Sequence, residues 1–352
     1  MSSPAAHTPS EFFETAWQAF LRAERASGES VNQHLEIGRL PVRLRFAGQA
    51  LVPRIVPALE HLAADPGPEP SLTVCLFDSQ STGTPMPAPP WNHDAYGPRG
   101  VIQGFNTDKI HTIYGPGTSV LQMLDRDRRM AIYWVPQPES VPYWESSFPL
   151  RPVLHWWVRD LPLQPIHAGA VGRPDGGVLI AGRSGSGKST STLACLHSDL
   201  RYAGDDYVLV RVDPEPFVFS LYNTAKLEPH NLARFPKLMP MVNNHGRLDG
   251  EKAMIFLHEH APGEIVRGFP LRAILLPRVT GRRDTRLEPA TPAAAVMALA
   301  PTTLVHLQGA SQEAFGKLAR LARKLPIYTL EAGTDLPQIP AAILDLLKKG
   351  GL

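Results

Sequence analysis

Residues 176–196 read GGVLIAGRSGSGKSTSTLACL, and within them Gly182–Ser189 (GRSGSGKS) fits the phosphate-binding spacing G-x-x-x-x-G-K-[ST]. Gly182, Gly185 and Gly187 open backbone conformations closed to other residues, so that successive N–H groups can turn inward on a phosphate chain. Lys188 supplies a compact cation for the outer phosphates, and the Ser189 hydroxyl is a hard oxygen suited to magnesium. The flanks agree with the motif. Val178–Ala181 is a short apolar run of strand type, and Thr190–Leu196 predicts a small, apolar helix whose start faces the phosphates. A nucleotide is therefore expected on Arg183, Ser184, Gly185, Ser186, Gly187, Lys188, Ser189 and Thr190.

Downstream, RYAGDDYVLVRV (201–212) predicts a strand interrupted by adjacent carboxylates, Asp205 and Asp206, seventeen residues after Lys188. Neighbouring strand residues point to opposite faces. One carboxylate can then hold a metal while the other faces an incoming hydroxyl. Upstream, LPLQPIHAGAVG places His167 just before a small-residue strand, and GRPDG (172–176) reads as the turn of a hairpin feeding the loop. That entry differs from the βαβ entry of a Ras-like nucleotide hydrolase.

The whole chain sets the frame. Its 352 residues suggest two domains, and 43% apolar content is ordinary for a globular protein. A formal charge of +2 gives no reason to expect nucleic acid as a partner. Cys75 and Cys195 have neither metal-ligand nor redox spacing. No run approaches eighteen apolar residues and no signal-peptide pattern opens the chain, so a cytoplasmic protein with no membrane partner is expected. The 36 prolines, about twice the usual share, mark long irregular connections.

The first element is a helix with a capping box: Thr8 as N-cap, Pro9 as first residue, Glu11 as third, then an apolar face of Phe12, Phe13, Ala16, Trp17, Phe20 and Leu21. Strands follow at Leu40–Phe46, Leu72–Phe77, Val120–Leu124 and Met130–Val135, and a short helix is expected at Ile55–Leu62. Residues 1–160 thus read as an α+β domain without recognisable catalytic spacing. Residues 161–352 read as the phosphate-binding domain. Its later elements are strands at Phe217–Tyr222, Leu271–Leu276 and Ile327–Leu330, and helices at Ala293–Ala300, Ser311–Leu325 and Ala341–Lys349, the last ended by Gly350 and Gly351. GEKAMIFL puts Glu251 and Lys252 at the mouth of a strand. LHEH (257–260) lacks the i, i+4 histidine pair of a zinc helix.

His167, the loop and the Asp205–Asp206 pair, in this order over about 45 residues, resemble the HPr kinase/phosphorylase family. IHAGAV matches the family's histidine-led strand, GRSGSGKS its loop, and AGDD its aspartate pair. The resemblance implies an α/β fold of the phosphoenolpyruvate carboxykinase/HPr-kinase type behind an α+β N-terminal domain. It implies an ATP- and Mg²⁺-dependent serine kinase. Asp205 would be the base and His167 would sit near the transferred phosphoryl group. Lys188 would lie on the outer phosphates, with Ser189 and Asp206 in the magnesium shell. Glu251 would stand for the family's later glutamate, matched by order alone. DGEKAMIFL replaces the family's L-E-I-R-G-type stretch, so the chain looks closer to diverged relatives that phosphorylate a serine on a peptide, protein or small molecule. A homo-oligomer is also implied. Two other readings are a nucleotide-responsive scaffold without phosphotransfer and a carboxykinase-like enzyme acting on a carboxylic acid.

Overall fold

The computed structural model describes residues 8–67, 69–115, 117–306 and 312–349. It is a mixed α/β protein with several sheets, and its contacts fall into two compact units. One comprises Met1–Pro57 and Ala63–Trp157; the other comprises Ala58–Leu62 and Val158–Leu352.

The first unit starts with the helix Pro9–Ser27. The Thr8 hydroxyl accepts the Glu11 N–H at 3.2 Å while the Glu11 carboxylate accepts the Thr8 N–H at 2.7 Å. Gly28, left-handed at φ +66°, ends it. Its buried face (Phe12, Phe13, Ala16, Phe20) packs on Cys75, Phe77, Leu121, Met123 and Trp134 of a six-stranded sheet. Burying each such phenylalanine is worth about 1.5–3 kcal/mol. The strands are β1 (Ser30–Ile37), β2 (Leu40–Ala47), β3 (Leu72–Asp78), β4 (Ile110–Gly115), β5 (Val120–Asp125) and β6 (Met130–Val135), in the order β1-β2-β3-β6-β5-β4. Sequence reading missed β1, whose residues are mostly exposed or half-buried, and the helices Tyr143–Ser147 and Arg151–Val158. The expected helix at 55–62 is instead two short turns, Val52–Ile55 and Glu60–Leu62. Pro57 lies between them and has no backbone N–H with which to continue the first turn.

The second unit contains β7 (Gln164–Ile166), β8 (Gly169–Arg173), β9 (Gly176–Ile180), β10 (Arg201–Gly204), β11 (Val208–Arg211), β12 (Phe217–Ser220), β13 (Thr224–Leu227), β14 (Ala253–Phe256), β15 (Gly268–Val279), β16 (Arg286–Pro289) and β17 (Ile327–Ala332). Nine of them form one sheet along β10-β8-β9-β15-β12-β11-β7, with β17 added to β15 and β16 to β17; β13 and β14 pair separately. Long β15 joins the parts. Its first residues pair with β12, while its later ones run parallel to β9 and β17. Alternation explains the apolar runs that the sequence displays here. Leu179 and Ile274 face one way, into a core shared with the helices Pro292–His306 and Gln312–Lys324. Val178, Ile180, Ala273 and Leu275 face the other, onto Ile339 and Ile343 of the helix Gln338–Lys349. A strand covered on both sides needs apolar residues at every position. Ser311, Gly350 and Gly351, expected at helix ends, lie outside the described residues.

No helix among the described residues is long and apolar enough to cross a membrane.

Candidate functional site

The candidate site forms where two connections run side by side. β7 pairs with β11, and β8 pairs with β10. The step from β7 to β8 at residues 167–168 therefore accompanies the step from β10 to β11 at residues 205–207. Sequence reading expected one interrupted strand at 201–212; β10 and β11 are instead two strands with different neighbours. The backbones approach closely enough to require glycine: a Cβ on Gly169 would stand 3.3 Å from the Asp205 carbonyl and would collide with Thr192 Oγ1.

This packing brings His167, Lys188 and Asp206 together. His167 Nε2 donates to Asp206 Oδ1 at 3.3 Å, and Lys188 Nζ donates to the same oxygen at 3.4 Å. The His167 ring also lies against Tyr207, with centroids 5.1 Å apart, and its backbone N–H donates to Thr303 Oγ1 at 3.1 Å. Lys188 is 7% exposed, and the Asp206 side chain 20%.

Asp205 is 1% exposed. Its Oδ2 accepts the Lys226 N–H at 3.4 Å, the Ser189 side chain lies alongside, and its Oδ1 is buried without a hydrogen-bond partner. Burial, followed by the negative charge of Asp206, pushes the Asp205 carboxyl up to about 7, against the pull of Lys188. Asp206 moves downward. Burial opposes its ionisation, but the His167 hydrogen bond and the charges of Lys188, His167 and Lys226 outweigh that. Two acids of one type, adjacent in sequence, thus hold different protonation tendencies near neutrality.

The glycine-rich stretch links β9 to the helix Lys188–Leu193, which begins two residues before and ends three residues before the sequence expectation. Gly185 (φ +80°) and Gly187 (φ +98°) take backbone conformations that other residues enter only at a cost. The Ser186 N–H donates to the Arg183 carbonyl at 3.1 Å, and Ser186 Oγ is buried without a partner. Arg183, Ser184 and Gly185 are exposed, whereas Ser186, Gly187, Ser189 and Thr190 are half-buried.

Glu251 is not part of this cluster. Its Oε2 accepts from Asn244 Nδ2 at 3.0 Å and from Arg247 Nε at 3.1 Å. Among the described residues no three acids, histidines or cysteines converge as a metal-binding group. Two basic residues beside the aspartates went unassigned in the sequence, Lys226 on β13 and Lys252 before β14. The charge of Lys226 acts on Asp206, and both aspartates act on Lys252, whose Nζ also pairs with Glu228 at 2.8 Å. The β13–β14 pairing that places them joins residues about 28 apart, which local pattern does not reveal.

No protein-family model and no curated protein matches the chain. Among solved structures it is similar to the HPr(Ser) kinase/phosphatase from Coxiella burnetii, at 13% identity with a TM-score of 0.29, over 53% of this chain and 97% of that one.

Proposed function

We propose that residues 161–352 form an HPr-kinase-like, ATP- and Mg²⁺-dependent kinase domain that phosphorylates a serine-type hydroxyl of a peptide, protein or small molecule, with residues 1–160 as a substrate- or partner-binding domain. The observation that carries the reading is Asp205: a buried carboxyl with one unpartnered oxygen and a raised affinity for a proton, next to a lysine in a phosphate-loop motif. A general base works best when its pKa lies near the working pH.

In this reading the acceptor oxygen forms its bond to the γ-phosphorus as its proton passes to Asp205 Oδ1. The bond from that phosphorus to the bridging oxygen breaks, and ADP leaves with the electron pair. Lys188 neutralises charge on the outer phosphates, and His167 holds Asp206 ionised beside it. Ser189 and the ionised Asp206 are the oxygen donors proposed for magnesium, with the Ser189 side chain lying beside Asp205; such an ion would neutralise phosphate charge.

The test is transfer from γ-labelled ATP to candidate serine peptides and free serine, read by mass spectrometry. Asp205→Asn should cut transfer about 10²–10⁴-fold, the usual contribution of a general base, while nucleotide still binds. Turnover at the wild-type rate would remove Asp205 from the base role. Lys188→Ala should weaken ATP binding as well.

A further inference from the structure

Strands β13 and β14 form an antiparallel ribbon apart from the large sheet, with Lys226 opposite Met254 and Leu227 opposite Ala253. One step beyond that register Glu228 meets Lys252, whose Nζ donates to Glu228 Oε1 at 2.8 Å. This end of the ribbon touches the proposed base itself, because the Lys226 N–H donates to Asp205 Oδ2 at 3.4 Å. Two cations and one acid thus stand beside the aspartate pair, and the transfer step uses none of them.

Position and charge both point to the acceptor. A base works within hydrogen-bond reach of the hydroxyl it deprotonates, so a group carried next to that hydroxyl comes close to Asp205 and to the ribbon end. The phosphate loop has its own cation, Lys188, which bonds Asp206. Lys252 is placed differently. Its side chain is 42% exposed and that of Glu228 45%, so the ammonium can exchange its carboxylate partner for one on a ligand without disturbing the core. Both aspartates also act on the charge of Lys252. The connection that follows Glu228, residues 229–250, carries Arg234, Lys237 and Arg247 against Asp249 alone, a balance that draws acids.

We infer that the end of the β13–β14 ribbon selects an acidic acceptor, one whose serine-type hydroxyl lies beside a carboxylate, and that Lys252 takes that carboxylate in place of Glu228. The inference rests on the kinase reading proposed above and names the chemical class of its acceptor.

The experiment gives the full chain γ-labelled ATP, Mg²⁺ and matched acceptors: one serine peptide flanked by glutamate, alanine or lysine, and glycerate beside glycerol. Wild type should favour the acidic member by about fivefold or more in kcat/KM, the upper end for a half-exposed ion pair. A preference among the peptides or in the small-molecule pair shows which source brings the carboxylate. Transfer without an acidic preference in either set overturns the inference and leaves the kinase reading standing; no transfer to any acceptor overturns both. Lys252→Met should raise KM for the favoured acceptor about fivefold with kcat little changed. Glu228→Gln, which releases the ammonium, should lower that KM. In a merely structural ion pair the two variants would act alike, and that result also overturns the inference. Thermal melting of each variant checks folding; if Lys252→Met melts early, the direction of the Glu228→Gln effect decides.

Discussion

Acid should weaken the second unit through one histidine. His61 is 7% exposed; its Nε2 and Ser220 Oγ are 2.7 Å apart, and Asn223 Nδ2 donates to Nδ1 at 3.4 Å. Those partners fix the neutral tautomer, with the proton on Nε2. Burial, then the charges of His258 and Arg267, push its pKa from 6.5 down to about 3. The folded state therefore refuses a proton that the unfolded chain takes up below pH 6.5. The sign follows: the contribution is fully present above pH 6.5 and is lost as pH falls towards 3. Linkage puts the loss at about 2 kcal/mol at pH 5 and about 3 kcal/mol at pH 4. The assay is urea unfolding at pH 7.5 and 5.0 for wild type and His61→Gln, monitored within the second unit. Comparing the pH response of the two chains cancels other groups, including Asp205, whose raised pKa acts in the opposite direction. Wild type should lose about 2 kcal/mol more than the variant. Equal losses, or an imidazole resonance for His61 that titrates near pH 6.5, would refute the reasoning.

Two further outcomes follow from the site's packing. Gly169→Ala should cost about 1–3 kcal/mol of stability by overpacking, because the added Cβ meets both Thr192 and the Asp205 carbonyl. It should also lower transfer by shifting the aspartates, which denaturation and turnover measured together will show. Glu251→Gln should leave transfer within about tenfold, roughly 1.4 kcal/mol, since Arg247 and Asn244 already engage that carboxylate. A loss as deep as that of Asp205→Asn would put Glu251 in the catalytic machinery.

The parts legible in the sequence are those whose cause is local. The capping box at Thr8 and Glu11, the hairpin Gly169–Ile180 and the strand-to-helix glycine loop each have their determinants within a few residues. β1 was hidden because a strand with little buried surface lacks an apolar alternation. Ala58–Leu62 was hidden more deeply. It lies in sequence between elements of the first unit, and only the long-range contacts of His61 and Asn223 with its neighbours assign it to the second. Glu251 was matched by order alone, and its carboxylate engages Asn244 and Arg247.

The aspartate pair is where topology adds most to sequence. Alternation along an extended chain separates the two side chains but cannot say which would be ionised. That depends on what the β7–β8 connection carries to the spot. β7 lies against β11 and β8 against β10, so His167 arrives at the same crossing as residues 205–207 and takes Asp206, together with Lys188. Asp205 is left facing Ser189 and the Lys226 N–H, buried, with one oxygen unpartnered. The ionised neighbour then raises the proton affinity of Asp205 further, so holding Asp206 charged is part of what tunes Asp205. Replacing His167 should consequently raise the proton affinity of Asp206, because a hydrogen bond and a charge that favour its ionised form are removed.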